Sequence, residues 1–154
     1  MESLFWNFRL PLNMKKLTLY PRMGKGNIRT MEELIGSKLP DDFSEFMIDN
    51  AGLSHHERFF KGEKEAEWEV NGYTSFKDLY QLTTEIMGST NKKMIPFAFD
   101  AGGWHFCLCM ESENFGCIYI NRWSDYPENE RFIKISNSFN EFIEGLKTEE
   151  EFFT

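Results

Sequence analysis

Between Met94 and Asn121 the apolar and polar positions follow the two-residue period of a β-strand through three consecutive segments. Met94–Asp100 is a nearly unbroken apolar run. Pro96 has no N–H to give to a ladder, so it is tolerable there only near a strand start, a bulge or an edge. Ala101-Gly102-Gly103 is a turn signal, because glycine reaches positive φ without a steric penalty. Trp104–Met110 then puts Trp104, Phe106, Leu108 and Met110 on one face and His105, Cys107 and Cys109 on the other. A second turn at Glu113-Asn114-Phe115-Gly116 leads into Cys117–Asn121, where Cys117, Tyr119 and Asn121 alternate with Ile118 and Ile120. Small or apolar residues on both faces predict a sheet covered on one side and partly covered on the other.

Helical spacing governs the flanks. Thr30-Met31-Glu32-Glu33 has the hydroxyl-to-carboxylate spacing of a capping box and predicts a short helix ending near Gly36. Leu39-Pro40-Asp41-Asp42 opens a second helix, with proline in its first turn and two acids at the positive end of the dipole. Phe43, Phe46 and Met47 fall on one face of that helix, and Asn50-Ala51-Gly52 stops it. Arg58–Lys61 and Glu65–Val70 read as strands, and Asn71-Gly72 as a hairpin dipeptide or the approach to a helix. Phe76, Leu79, Tyr80, Thr83 and Met87 hold helical spacing after a cap at Ser75 and up to Gly88. Trp123–Glu130 is a polar loop and Phe132–Ile135 a short strand. Ser138-Phe139-Asn140-Glu141 is a further capping box, opening a helix that carries Phe139, Phe142, Ile143 and Leu146 on one face.

This order predicts an α+β fold: a single domain with a curved antiparallel sheet, a central three-strand meander, and packing by N-terminal helices and a C-terminal helix. The expected boundaries are an extension over residues 1–29 packed on the domain, the domain itself over 30–148, and a fraying acidic tail over 149–154. Within the extension, Leu17-Thr18-Leu19-Tyr20 reads as a short strand.

Composition narrows the function. The chain of 154 residues suits one domain with a substantial core, to which 16 phenylalanines contribute. Its formal charge of −8 disfavours nucleic acid and anionic membrane as partners and fits a basic protein partner. No apolar run approaches the roughly 20 residues of a membrane span. The start has Glu2 where a signal peptide would carry positive charge, and Arg9 and Pro11 interrupt its apolar run. The three cysteines all lie within Cys107–Cys117 and do not resemble a secreted disulfide framework, so a cytoplasmic location is expected.

Three motifs in order carry a resemblance. Leu39-Pro40, Phe43, Phe46 and Asn50-Ala51-Gly52 are similar to the helix that opens SUKH-superfamily domains, although the usual N-G-G appears as Asn-Ala-Gly. Ile95-Pro96-Phe97-Ala98-Phe99-Asp100 with Gly102-Gly103 and Phe106-Cys107-Leu108 resembles that family's central signature. Ser138-Phe139, Phe142 and Leu146 resemble its closing helix. The match spans roughly Thr30–Lys147. The superfamily includes yeast Smi/Knr regulators of cell-wall assembly and bacterial immunity proteins that neutralise polymorphic toxins, often nucleases. The resemblance implies a non-enzymatic binding protein and carries over core and turn positions, with no catalytic set.

Among candidate chemistry, Gly62–Val70 stands out. In a strand, Glu63, Glu65, Glu67 and Glu69 project from one face at repeats of about 6.6 Å, with Trp68 on the other. Such a carboxylate ladder fits either a basic toxin surface or a solvated edge strand protected from aggregation. Trp123, Asp125 and Tyr126 in the polar loop are the next partner-binding candidates. His105, Cys107, Cys109 and Cys117 share donor chemistry, but zinc sites usually place paired ligands on turns, and a free cysteine commonly behaves as a small buried hydrophobe. No metal and no cofactor is therefore expected, and no orienting carboxylate supports a cysteine nucleophile. His55-His56 reads as a solvated loop. Asp100 reads as an Asx-type turn stabiliser rather than a cation ligand. The expectation is a cytoplasmic, non-enzymatic immunity protein that blocks a basic toxin domain. The alternatives are a regulatory scaffold linked to cell-wall assembly and, further off, an enzyme using the His105/Cys107/Cys109 face.

Overall fold

The computed structural model describes residues 22–154, and the strand expected at Leu17–Tyr20 lies outside them. Helices α1 (Lys25–Ile35) and α2 (Asp41–Asn50) come first. A two-stranded sheet of β1 (Phe59–Lys61) and β2 (Glu67–Glu69) follows. β3 (Gly72–Tyr73) and α3 (Phe76–Thr90) lead into the meander β4 (Met94–Phe99), β5 (His105–Cys109) and β6 (Ile118–Asn121). β7 (Phe132–Ser136), α4 (Phe139–Glu144) and α5 (Glu149–Phe152) close the chain. The main sheet runs β3-β4-β5-β6-β7, antiparallel throughout, so the expected α+β architecture and central meander are present.

Pro96 shows how the meander tolerates a proline. Pro96 opposes Cys107 and Ala98 opposes Phe106, so Phe97 is an extra residue in a bulge that removes the need for a regular ladder there. Thr74 catches the carbonyls this leaves: its hydroxyl donates to Pro96 O at 2.8 Å and its N–H to Phe97 O at 2.8 Å. The turn after β4 depends on Asp100, whose Oδ1 accepts from Gly102 N at 3.0 Å and Trp104 N at 2.9 Å while Gly103 takes φ +97°. That is the Asx contact expected from the sequence.

The first face of the sheet is capped by phenylalanine. Phe43, Phe97 and Phe139 meet edge to face at centroid distances of 5.6, 5.2 and 5.3 Å. Phe142 touches Phe60, Phe97 and Phe106 at 4.9, 5.8 and 5.4 Å. Leu39, Phe43, Phe46, Phe97, Phe106, Phe139, Phe142 and Leu146 are all buried in this cluster, so these apolar motif positions are core positions. On the second face, Ile86 of α3 packs with Met94, Cys107 and Cys109, flanked by Tyr119, Trp123 and Phe132. The strand faces are those read from the two-residue period.

Several local expectations fail for identifiable reasons. α1 begins at Lys25, five residues before the expected cap. Asn27 Oδ1 accepts from Gly24 N at 2.9 Å, and Thr30 sits mid-helix with its hydroxyl bonded to Gly26 O at 3.0 Å. Pro40 is the N-cap of α2 rather than a first-turn residue. In the stop that follows, only Gly52 needs positive φ, at +83°, whereas Ala51 has φ −56°, so alanine in place of the more usual glycine carries no strain. α3 runs past Gly88 to Thr90 and buries Leu79, Thr83 and Ile86 while Tyr80 stays exposed. Asn71-Gly72 is not a hairpin turn: the chain there passes from the small sheet into the large one. α4 ends at Glu144, so Leu146 reaches the core from beyond the helix.

The acidic tail carries a short helix, Glu149–Phe152. Lys147 bridges to Phe59, and Thr148 caps α5 by accepting from Glu151 N at 3.2 Å while the Glu151 carboxylate accepts from Thr148 N at 3.0 Å. Those hydrogen bonds hold the Glu151 carboxyl below its usual pKa. Phe152 and Phe153 pack on the Phe59 ring at 5.5 and 5.2 Å. His55 is likewise buried rather than solvated, with Nε2 2.7 Å from Asn50 Oδ1 and its ring against Phe46 and Tyr73.

Candidate functional site

The glutamate ladder does not form. Glu63 and Glu65 lie in a 3-10 turn, where Lys64 and Glu65 take φ of +59° and +63°, and only Glu67 and Glu69 stand on the strand around Trp68. The left-handed pair breaks the two-residue alternation on which a ladder depends. Two of the four carboxylates also have cations of their own: Glu69 takes Arg58 at 2.8 Å and Glu65 takes Lys61 at 3.5 Å. All four remain exposed, as a scattered acidic edge.

The loop after β6 is built differently. Trp123 holds φ +52°, a conformation that bulky side chains rarely adopt and that persists only where its surroundings enforce it. Here Trp123 N donates to Asn121 Oδ1 at 2.9 Å, and its indole N–H donates to His105 Nδ1 at 3.1 Å. An indole can only donate, so His105 keeps an unprotonated Nδ1, and burial pushes its pKa below the ordinary histidine value. Pinning Trp123 inward turns the following residues outward. The Arg122 guanidinium lies 3.3 Å from the Tyr126 ring centroid and 5.9 Å from that of Trp104, and it also bonds the Glu130 carbonyl. Trp104 Nε1 donates to Asp125 Oδ2 at 2.8 Å and its ring meets Tyr126 at 5.9 Å. Trp68 joins from β2, 6.4 Å from Trp104.

The result is a corner of Trp104, Arg122, Asp125 and Tyr126 with its side chains held in place by each other. Tyr126 is 39% exposed, and Glu128 and Glu130 line the exposed rim. Tryptophan, tyrosine and arginine are the residues that dominate binding energy at protein interfaces, and a pre-ordered cluster loses little entropy on binding. Of the sequence candidates, Asp125 and Tyr126 belong to this corner, whereas Trp123 supports it from inside. Trp104 and Arg122 were missed: Trp104 has the parity of a core residue, and only its place at the sheet end, where the core stops, leaves it half-exposed.

The His105/Cys107/Cys109 face is an apolar layer. Cys107 is fully buried, and burial raises the thiol pKa of both Cys107 and Cys109, which lowers the thiolate fraction that a nucleophile needs. His105 Nδ1 is already engaged by Trp123. Among the described residues no group of three or more His, Cys, Asp or Glu is placed to hold a metal ion, and no helix is long and apolar enough to cross a membrane.

Fold and surface together define an α+β domain whose most organised exposed feature is the Trp104/Arg122/Asp125/Tyr126 corner. The SUKH family described as SMI1-KNR4 cell-wall matches residues 25–143, well over half of the chain, with α1 at its start and α4 at its end. The chain belongs to the SUKH (SMI1-KNR4) family. Comparison with curated protein sequences finds no match.

Proposed function

We propose that this protein is a non-enzymatic binding domain that acts as an immunity protein, neutralising a cognate toxin by direct contact in the cytoplasm. Family membership supports the class, since immunity proteins are common in it. The observation that carries the binding mode is the pre-ordered Trp104/Arg122/Asp125/Tyr126 corner beside an acidic edge on a chain of net charge −8. That combination suits a basic partner that contributes a flat or apolar contact at the corner and lysine or arginine at the rim. The buried, raised thiols of the second face support binding over catalysis.

The test is to look for a toxin gene beside this one and to co-express its C-terminal domain with this protein. Growth rescue together with a stable complex on size-exclusion chromatography is the expected result. Failure of both, with capture of a cell-wall assembly factor instead, would move the function to the scaffold role of the yeast relatives.

A further inference from the structure

Arg131 takes no part in the corner and, among the described residues, has no carboxylate within ion-pair distance. It is nonetheless only 8% exposed. Its guanidinium lies between two rings, 5.1 Å from the Trp123 centroid and 5.3 Å from that of Phe132, and Nε donates to Asn121 Oδ1 at 2.9 Å. Ring faces offset part of the desolvation of a cation, but they accept no hydrogen bonds from the in-plane N–H groups of the fork. Among the described residues the two Nη atoms have no hydrogen-bond partner, and they are not sealed from solvent, so this edge of the fork is open.

The neighbouring amide holds a second unused donor, this one sealed from solvent. Asn121 is fully buried, and its Oδ1 accepts from both Arg131 Nε and Trp123 N. Two donors on one atom fix the amide orientation, because flipping it would set N–H against N–H. Asn121 Nδ2 is then a buried donor with no acceptor. A largely buried cation with an open guanidinium edge thus sits beside a buried amide whose Nδ2 departs from the rule that such groups are satisfied.

We propose that Arg131, framed by Trp123 and Phe132 and held by Asn121, is an oxyanion-binding site that takes a single carboxylate or phosphate group on the solvent-facing edge of its guanidinium. The planar fork matches two oxygens of either group. The site uses a different arginine from the corner, since Arg122 bonds the Glu130 carbonyl and stacks on Tyr126 instead. The left-handed Trp123 that shapes the corner also supplies one wall of this site.

The experiment uses the full chain, labelled with nitrogen-15, at fixed pH and ionic strength. Chloride is replaced stepwise by acetate in one series and by inorganic phosphate in another. The expected result is a saturable shift, half-complete in the millimolar range, centred on Arg131 Nε–H, the Asn121 amide and the Trp123 indole. Arg131→Gln should lose at least tenfold in apparent affinity, whereas Lys134→Gln, which removes a nearby β7 cation, should change it less than twofold. Saturation by acetate alone assigns a carboxylate ligand, and by phosphate alone a phosphate ligand. Shifts that rise linearly, that chloride reproduces, or that centre on Lys134 overturn the site. If Arg131→Gln does not fold, the wild-type shift map and its saturation decide the matter alone.

Discussion

Replacing Phe142 with alanine tests the core that positions everything else. The ring is fully buried and touches Phe60 from β1, Phe97 from the bulge and Phe106 from β5. Losing the buried apolar area of the ring contributes about 2 kcal/mol. If the neighbours stay in place, a void of about 100 Å³ at about 24 cal/mol per Å³ adds roughly 2.4 kcal/mol. The expected loss is therefore about 4 kcal/mol, with partial collapse of the site lowering it toward 3. In a domain of this size that is a fall of about 8–16 °C in Tm, at roughly 2–4 °C per kcal/mol. Equilibrium urea unfolding followed by tryptophan fluorescence reads the loss as a change in midpoint at constant slope. Phe115→Ala, at a ring 50% exposed on the β5–β6 turn, should fall within about 0.5 kcal/mol of wild type. A Phe142→Ala loss below about 1 kcal/mol, or equal losses for the two variants, would refute the account of how the closing helix docks.

Gly145→Ala should destabilise by about 1–3 kcal/mol because a Cβ there comes within 2.8 Å of the Phe60 ring and 3.0 Å of Glu141 O, whereas Gly88→Ala, which meets nothing within 4 Å in α3, should gain up to about 1 kcal/mol; thermal melts that place both on the same side of wild type contradict the packing. Deleting residues 149–154 removes the two rings on Phe59 and should lower stability by about 1–2 kcal/mol in urea unfolding, and no change would mean the tail packs without stabilising. His105 supplies a pH dependence. Burial lowers its folded pKa against smaller opposing effects of the Gly103 backbone, Asp100 and Asp78, so the unfolded chain binds the extra proton more readily. Its contribution is fully present above the unfolded value near 6.5 and is lost as pH falls from there through the depressed folded value, when a proton on Nδ1 displaces the Trp123 indole. Urea midpoints across this range should slope less steeply for His105→Asn than for wild type; equal slopes assign the acid sensitivity to another group.

The legible parts of the fold are those where a local rule and the tertiary structure agree. The meander follows from a two-residue period bounded by turns that demand Gly103 and Gly116 at positive φ. The Ser138 cap, accepting from Glu141 N at 3.1 Å, lies where the sequence places it, without the return bond from Glu141 that a full capping box would add. The misreadings have one source, since an apparent local signal competed with another the sequence shows less clearly. Thr30 looked like a cap because the Asn27-to-Gly24 bond, which starts the helix earlier, uses a glycine with no side chain to announce it. The glutamate alternation looked like a strand, yet its first half forms a turn through left-handed Lys64 and Glu65, conformations that neither residue type advertises. The contact corner was half legible. Tyr126 and Asp125 sit in a polar loop and draw notice there, but Arg122 and Trp104 are assembled by the pairing of β5 with β6, which no local pattern encodes.

The central claim is tested most directly by the dissociation constant for the proposed partner, a toxin domain that rescue by co-expression identifies, measured for wild type, Tyr126→Ala, Arg122→Lys and the protein with Glu63, Glu65, Glu67 and Glu69 all changed to Gln. If the pre-ordered corner carries binding, Tyr126→Ala should weaken affinity by about 30-fold, the size of a loss of about 2 kcal/mol at an interface hot spot. Arg122→Lys should weaken it less, because charge is kept and stacking is lost. The four-Gln protein should change chiefly in association rate and salt dependence. Wild-type affinity in Tyr126→Ala, together with a large loss in the four-Gln protein, would contradict the account and place the contact on the acidic edge.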